Sequence, residues 1–341
     1  MRICVYGLGA VGGMVAARLA RAGTPVSAVA RGATLEAVRG RGGLVLLEGP
    51  DPRPRRSAPI PVTVEADPAA LGEQDVVVIA LKATALPDAA PSIARLVGPD
   101  TVLVPAMNGI PWWFFHGLDR DVRLESTDPG GAVSAALPAE RVLGAVLHLS
   151  ASCPEPGTVR NPAGQEIIIG EPRGGASERA DRVAAVLRGA GFQVRVSDRI
   201  QRDVWYKLWG NMTMNPLSVL TGATLDRILD DPQVRGMASA CMREAAEVGA
   251  RIGLPIDADP EERHEITRRL GAVRTSMLQD ADAGRPVELD ALVTSVAELA
   301  RHVGVPTPNI DSLLGLTRLH AQIRGLYPAT GYPVLKPVET T

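Results

Sequence analysis

Met1-Arg2-Ile3-Cys4-Val5-Tyr6-Gly7-Leu8-Gly9-Ala10-Val11-Gly12 opens the chain and decides its fold. Ile3 to Tyr6 is a short run of β-prone residues. Ala10 to Ala22 is rich in helix formers, with Gly23 placed to cap the helix end. At the junction, Gly7, Leu8, Gly9, Ala10, Val11 and Gly12 spell G-x-G-x-x-G. In a strand-to-helix turn the first glycine permits the tight bend. The second lets a pyrophosphate approach the backbone, and the third lets helix and strand pack closely. Free N–H groups and the dipole at the helix start then favour an anion. The loop is read as a dinucleotide site; the plainer alternative is a tight turn with no ligand.

Working outward, Val26 to Ala30 reads as a second strand ending at Arg31. An acid there would take the ribose 2′-hydroxyl of NAD, but no Asp or Glu occurs from Ala28 to Leu35. Arg31 suits a 2′-phosphate through bidentate, charge-assisted bonds, so NADPH/NADP is the expected cofactor. The alternative is a solvated surface arginine. Leu44 to Leu47 and Val62 to Val64 read as strands around a polar, proline-rich excursion, Gly49 to Pro61, expected as a surface hairpin or loop. Val76 to Leu81 and Thr101 to Val104 read as buried strands. This βαβ rhythm implies an α/β fold with a Rossmann-type, doubly wound parallel sheet. Val142 to Leu149 and Glu166 to Ile169 are expected to extend it, followed by a helix over Ser177 to Arg188 and a strand over Phe192 to Val196.

After Ser197 the β signals nearly vanish. Helices are expected at 199–214, 233–252, 261–282, 287–303 and 310–323, forming an all-helical second domain. Asp231-Pro232 and Asp259-Pro260 each place an N-cap before a proline at the first helical position, and Gly253 and Gly304 follow helix ends. Pro216 is expected to kink or end its helix, and the tail after Tyr327 to be irregular. The boundaries read as 1–198 and 199–341, which suits a chain of 341 residues.

Composition closes off other classes. Apolar residues make up 45% and charged residues 22%, with a formal net charge of -2, so no basic face for nucleic acid is expected. The longest apolar runs are far too short for a membrane span, and the opening residues carry no signal-peptide pattern. Cys4, Cys153 and Cys241 are scattered and odd in number, so they read as free thiols and the location as cytoplasmic. No metal-ligand cluster is visible, and no metal is expected.

Two polar clusters stand out. Of eleven aromatic residues (4 Trp, 4 Tyr, 3 Phe), seven sit in the runs Trp112-Trp113-Phe114-Phe115 and Trp205, Tyr206, Trp209. Asn108-Gly109 precedes the first run and follows a parallel strand, where α/β proteins bind ligands; an Asn-Gly turn is the alternative. Lys207, Asn211 and Asn215 are spaced i, i+4, i+8 and share one helical face. That face reads as a polar pocket wall, against an exposed lysine and two helix-end asparagines. Ser276-Met277-Leu278-Gln279-Asp280 lies on a later helix, and Glu288-Leu289-Asp290 near the start of the next. Acids in a first helical turn commonly serve the dipole alone.

Together these segments resemble the ketopantoate reductase (2-dehydropantoate 2-reductase) family. The residues that carry the resemblance are the loop Gly7 to Gly12, Leu81-Lys82-Ala83, Asn108-Gly109, Lys207-Leu208 with Asn211 and Asn215-Pro216-Leu217, Ser276 to Asp280, and Glu288-Leu289-Asp290. It spans about Met1 to His320. The resemblance implies a reductase of 2-keto acids with its active site between a Rossmann domain and a helical one. It further implies that Arg31 and Lys82 engage NADPH, that Asn108 sits by the nicotinamide, and that Lys207 is the catalytic lysine. Asn211, Asn215 and Ser276 would hold the substrate, and Glu288 would bond substrate or cofactor hydroxyls and orient Lys207. A homodimer is a further expectation. The chain departs from the family pattern at Val273, at Trp209-Gly210, at Val293-Thr294 and in the bulk of Trp112 to Phe115. These changes suggest a more apolar pocket and leave open a different keto acid, or a silent NADP-binding sensor.

Overall fold

The computed structural model describes residues 1–49 and 54–330. The chain forms two compact units. The first comprises Met1–Met107, Trp112–Asp121 and Gly131–Asp203; the second comprises Asn108–Pro111, Val122–Gly130 and Val204–Thr341.

The first unit runs β1 (Ile3–Tyr6), α1 (Ala10–Arg21), β2 (Val26–Val29), α2 (Gly32–Arg41), β3 (Val45–Glu48), β4 (Arg55–Arg56), β5 (Thr63–Glu65), β6 (Gln74–Ile79), α3 (Leu86–Ile93), β7 (Val97–Pro105), α4 (Ala132–Ala136), β8 (Gly144–Glu155), β9 (Thr158–Gly170), α5 (Glu178–Gly189) and β10 (Gln193–Ser197). Five strands make a parallel sheet in the order β5-β2-β1-β6-β7. β1 is its centre: Ile3 pairs with both Val26 and Val76, and all four β1 residues are buried. A strand covered on both faces needs such a continuous apolar run.

The later strands do not extend this sheet, contrary to expectation. They build a second one, β10-β9-β3-β4, with β8 alongside β9. β3 leaves its place next to β2, which β5 takes, and pairs in parallel with β9 from Val45↔Thr158. The β8–β9 hairpin, of 12 and 13 residues, offers it a longer edge. Among the described residues an isolated bridge, Leu103↔Val142, links β7 to the segment that leads into β8. α1 packs against both, and a Cβ on Gly13 would come 2.7 Å from the Val159 side chain. The patterning marks neither α2, which buries only Val38, nor α3, which carries Pro91 internally. Arg55 and Arg56 pair antiparallel with β3, so the described part of the excursion is a hairpin. Its residues 50–53, and 331–341 of the tail, lie outside the described residues.

The second unit contains α6 (Ile200–Thr221), which begins at the end of the first, then α7 (Leu225–Asp230), α8 (Pro232–Arg251), α9 (Pro260–Arg268), α10 (Ser276–Asp282), α11 (Ser295–Val303) and α12 (Pro308–Ile323). Asp231 caps α8 and Asp259 caps α9 through backbone N–H groups. Gly304 ends α11 in the left-handed region, at φ 69°.

Three expectations are corrected. Pro216 does not end α6. Residues 212–219 are buried without interruption, and the Ser218 hydroxyl donates to the Asn215 carbonyl beside the proline. Tertiary packing outweighs the local preference here. The expected helix 261–282 is two helices: Gly271 turns left-handed at φ 73°, and the Thr275 hydroxyl caps α10 by accepting from Leu278 N–H. The expected helix 287–303 enters through a π-helical turn, Asp290–Thr294. No described helix is long and apolar enough to cross a membrane.

Candidate functional site

In the first unit the three motif glycines differ physically. Gly7 has φ 99°, and a Cβ there would lie 2.8 Å from the Ala80 carbonyl oxygen. A Cβ on Gly12 would collide with the Gly7 carbonyl oxygen and lie 2.8 Å from the Ala80 methyl. A Cβ on Gly9 would meet nothing within 4 Å. Gly7 and Gly12 are thus demanded by the turn and its packing, whereas Gly9 keeps bare backbone facing open space. Gly9 is also the N-cap of α1, with no capping side chain and no acid in the first turn. No side chain caps the opening N–H groups of α1 and no first-turn acid offsets the dipole there, an arrangement that suits an anion. Leu8 is buried beneath the loop. Arg31 is exposed and extended just past the end of β2. Lys82, also exposed, begins the short turn after β6. Both lie beyond carboxyl ends of strands of the parallel sheet, as the loop does.

The second unit gathers the other candidates. Lys207, on α6, donates from Nζ to Asn108 Oδ1 at 2.7 Å. Lys207 is partly exposed as a residue, but its ammonium is desolvated. Burial lowers its pKa from 10.5 to about 8, and the Glu288 carboxylate opposes that fall. Asn108, Lys207 and Glu288 are therefore brought together. Asn215 is buried and Asn211 half-buried on the same helix. Ser276 is exposed at the start of α10, which is tied to α6 by the Ser218 and Thr275 hydroxyls, 2.6 Å apart.

Gly109 explains how Asn108 is held. Its φ is 88°, and a Cβ would collide with the Ala291 carbonyl oxygen. That same carbonyl accepts from Ile110 N–H at 3.0 Å. Ala291 belongs to the π-helical turn that follows Glu288, so one turn sets both segments. Gly109→Ala is expected to cost about 1–3 kcal/mol through the clash and strained φ. The effect is read as a lower Tm together with loss of whatever activity depends on Asn108.

Asp290 does not serve the helix dipole alone. It accepts from Tyr327 Oη at 2.7 Å and Thr294 Oγ1 at 2.9 Å, and burial pushes its carboxyl up. Thr294 thus has a structural partner, while Val293 is fully buried and Val273 is exposed. Of the run Trp112 to Phe115, three residues are packed inside the first unit and Trp112 is half-buried. Trp113, Phe114 and Phe115 are core of the first unit, the two phenylalanines meeting edge to face at 5.3 Å. Trp112 Nε1 donates to the Leu137 carbonyl. Trp209 likewise is core of the second unit, donating to the Met242 carbonyl at 2.6 Å.

Two residues escape sequence reasoning. Glu298 accepts from the N–H groups of Glu125 and Ser126 at 2.7 and 3.0 Å, anchoring 122–130 to the second unit. Arg263, on α9, lies over the Tyr206 ring at 5.3 Å and against Gly210. It sits in the run Glu261-Glu262-Arg263-His264-Glu265, where spacing gives no sign of a special role.

A parallel sheet opened by a glycine loop, with a helical unit carrying a desolvated lysine, defines a dinucleotide-fold oxidoreductase. Comparison with known proteins narrows the class. The model described as "Ketopantoate reductase PanE/ApbA" matches residues 3–174, and its "C terminal" counterpart matches 199–321. The chain belongs to the ketopantoate reductase family, oxidoreductases acting on a CH–OH group. It is 42% identical over 331 residues to a 2-dehydropantoate 2-reductase of Mesorhizobium japonicum, covering 96% of this chain and all of the relative. A solved structure from Ralstonia solanacearum MolK2 is 54% identical with a TM-score of 0.90, over 96% of this chain and 99% of that one. A 2-dehydropantoate 2-reductase from Geobacter metallireducens GS-15 is 27% identical with a TM-score of 0.80, over 94% and 99% of the two chains.

Proposed function

We propose that this chain uses NADPH to reduce 2-dehydropantoate (ketopantoate), a 2-keto acid, to pantoate, with Lys207 as general acid. The observation that carries the reading is the desolvated Lys207 ammonium, hydrogen-bonded to Asn108 and coupled to Glu288. A non-catalytic NADP sensor has no need of such a group.

The chain's residues fit a dinucleotide at the first unit: open space at Gly9 and uncapped N–H groups suit its pyrophosphate, and Arg31 its 2′-phosphate. Lys82 adds a second cation beyond the strands. A bound nicotinamide dinucleotide supplies the hydride. As the keto carbon accepts it, charge builds on the substrate oxygen. Lys207 Nζ stabilises that charge and passes a proton to the oxygen. Asn108 holds the ammonium in place. Asn211, Asn215 and Ser276 donate to the remaining substrate oxygens. Glu288 keeps Lys207 protonated and accepts from a hydroxyl group.

The lysine is an acid only while protonated, so reduction is fastest below its pKa of about 8 and falls as pH rises through it. Glu288→Gln removes the interaction that raises that pKa, and the fall is expected to begin at a lower pH. An unshifted profile would contradict the role given to Glu288. For the cofactor, Arg31→Asp is expected to weaken NADPH by about 10–100-fold while sparing NADH, the scale of a lost charged bond. An unchanged NADPH/NADH ratio sinks the assignment of Arg31. Turnover of ketopantoate with purified protein and NADPH, compared with a panel of bulkier keto acids, tests the substrate directly.

A further inference from the structure

We infer that Tyr327 is a positioning residue for the reaction: through Asp290 it holds the π-helical turn that sets Glu288 and Asn108 around Lys207. The inference rests on the reading of Lys207 as the acid that reduces a 2-keto acid, and adds what keeps its two partners in place. Asn108 and Glu288 are far apart in the chain, yet the turn Asp290–Thr294 lies against both segments. Ser295 N–H, just past the turn, donates to the Asp290 carbonyl, five residues back. In an α-helix it would use the Ala291 carbonyl, four back. The Ala291 carbonyl is left to accept from Ile110 N–H and Ser295 Oγ, at 3.0 and 2.8 Å. It also stands so close to Gly109 that no side chain fits there. The widened turn thus grips the segment that carries Asn108. Such turns are rare and frequent at functional sites when they occur.

Asp290 staples the turn from within, and Tyr327 reaches it from outside. Asp290 Oδ1 accepts from Thr294 Oγ1, four residues on, and from Tyr327 Oη in the segment after α12. That segment is itself fixed. Gly325 turns left-handed at φ 67°, and Leu326 N–H donates back to the Ala321 carbonyl at 2.8 Å, closing the end of α12. The Leu326 carbonyl then accepts from Val287 N–H at 3.1 Å. Leu326 and Tyr327 therefore hold the chain at Val287 and at Asp290, one on each side of Glu288. All four of these residues except Asp290 are buried at the 1–6% level, so the bracket is packed as well as bonded. Arg318 and Glu298 are the charged groups that act on Asp290, and Glu288 is the one that acts on Lys207. Tyr327 and Asp290 thus reach the lysine through the placement of Glu288 and Asn108, not through charge of their own.

The test is Tyr327→Phe, which keeps the ring and removes the hydroxyl. Its kcat for ketopantoate is expected to fall by about tenfold, with KM and NADPH affinity little changed, since the reacting groups are displaced rather than lost. Beside it, competitive acetic anhydride labelling across pH, read by mass spectrometry on the peptide carrying Lys207, follows that lysine's titration without turnover. The sequence holds two other lysines, Lys82 and Lys336, on separate peptides. A Glu288 carboxylate less well placed raises the lysine less. The Lys207 titration is therefore expected to move to lower pH in Tyr327→Phe, by less than in Glu288→Gln. Adding Tyr327→Phe to Glu288→Gln should move it no further. A Lys207 titration unchanged by Tyr327→Phe, or an equal shift in the Glu288→Gln background, overturns the inference whatever happens to Tm. Thr294→Val removes the other bond to Asp290 at nearly constant size. It is expected to act in the same direction, and it decides the matter if Tyr327→Phe does not fold. If wild type reduces no 2-keto acid, the functional reading fails separately, and the labelling alone decides the role of Tyr327.

Discussion

Lys207→Ala is expected to lower kcat for keto acid reduction by about 10²–10⁴-fold, the usual worth of a positioned general acid. NADPH binding should persist, because the glycine loop and Arg31 belong to the other unit. Stability should change little, because two effects oppose each other. The wild-type fold keeps an ammonium where burial lowers its pKa to about 8, so the variant sheds a desolvation cost. It also leaves Asn108 without the 2.7 Å donor it now accepts from. Thermal melts and cofactor titration, run beside the kinetics, separate lost chemistry from lost structure. An active Lys207→Ala protein would remove lysine from the mechanism.

The second large effect separates two glycines three residues apart. Gly12→Ala forces a methyl into the Gly7 carbonyl oxygen and the Ala80 side chain. Neither can withdraw, since Gly7 is backbone in the turn and Ala80 N–H is bonded to the Tyr6 carbonyl at 2.9 Å. Overpacking of this kind costs about 3 kcal/mol, or roughly 10 °C in Tm for a unit of this size. Gly9→Ala meets nothing within 4 Å and keeps an ordinary φ of -74°, so the fold should hold. Its methyl would instead stand where a pyrophosphate must approach. NADPH affinity is expected to fall by about tenfold or more with an unchanged Tm, through lost charged hydrogen bonds. If Gly9→Ala binds NADPH normally, the loop is a turn and no more.

The contrast shows what the sequence makes legible. The loop could be read because its demands are local: a left-handed Gly7, a close Gly12 and an open Gly9 all follow from one strand-to-helix turn. Lys207, Asn211 and Asn215 could be read because a helix converts spacing into a shared face. Long-range partners leave no such trace. Nothing local tells β3 to leave the parallel sheet for the edge of β9. Nor does anything local tell that Trp113, Phe114 and Phe115 go into the first unit's core while Trp112 stays half-buried. Pro216 reads as a helix end because the packing that carries α6 past it comes from elsewhere in the chain.

The most direct test of the account is the pH dependence of kcat/KM for NADPH oxidation with ketopantoate. The predicted result is turnover with a plateau on the acid side, a break near pH 8 and a tenfold fall per unit above it. No turnover at any pH, or a profile that runs flat through pH 8, would contradict reduction driven by the Lys207 proton.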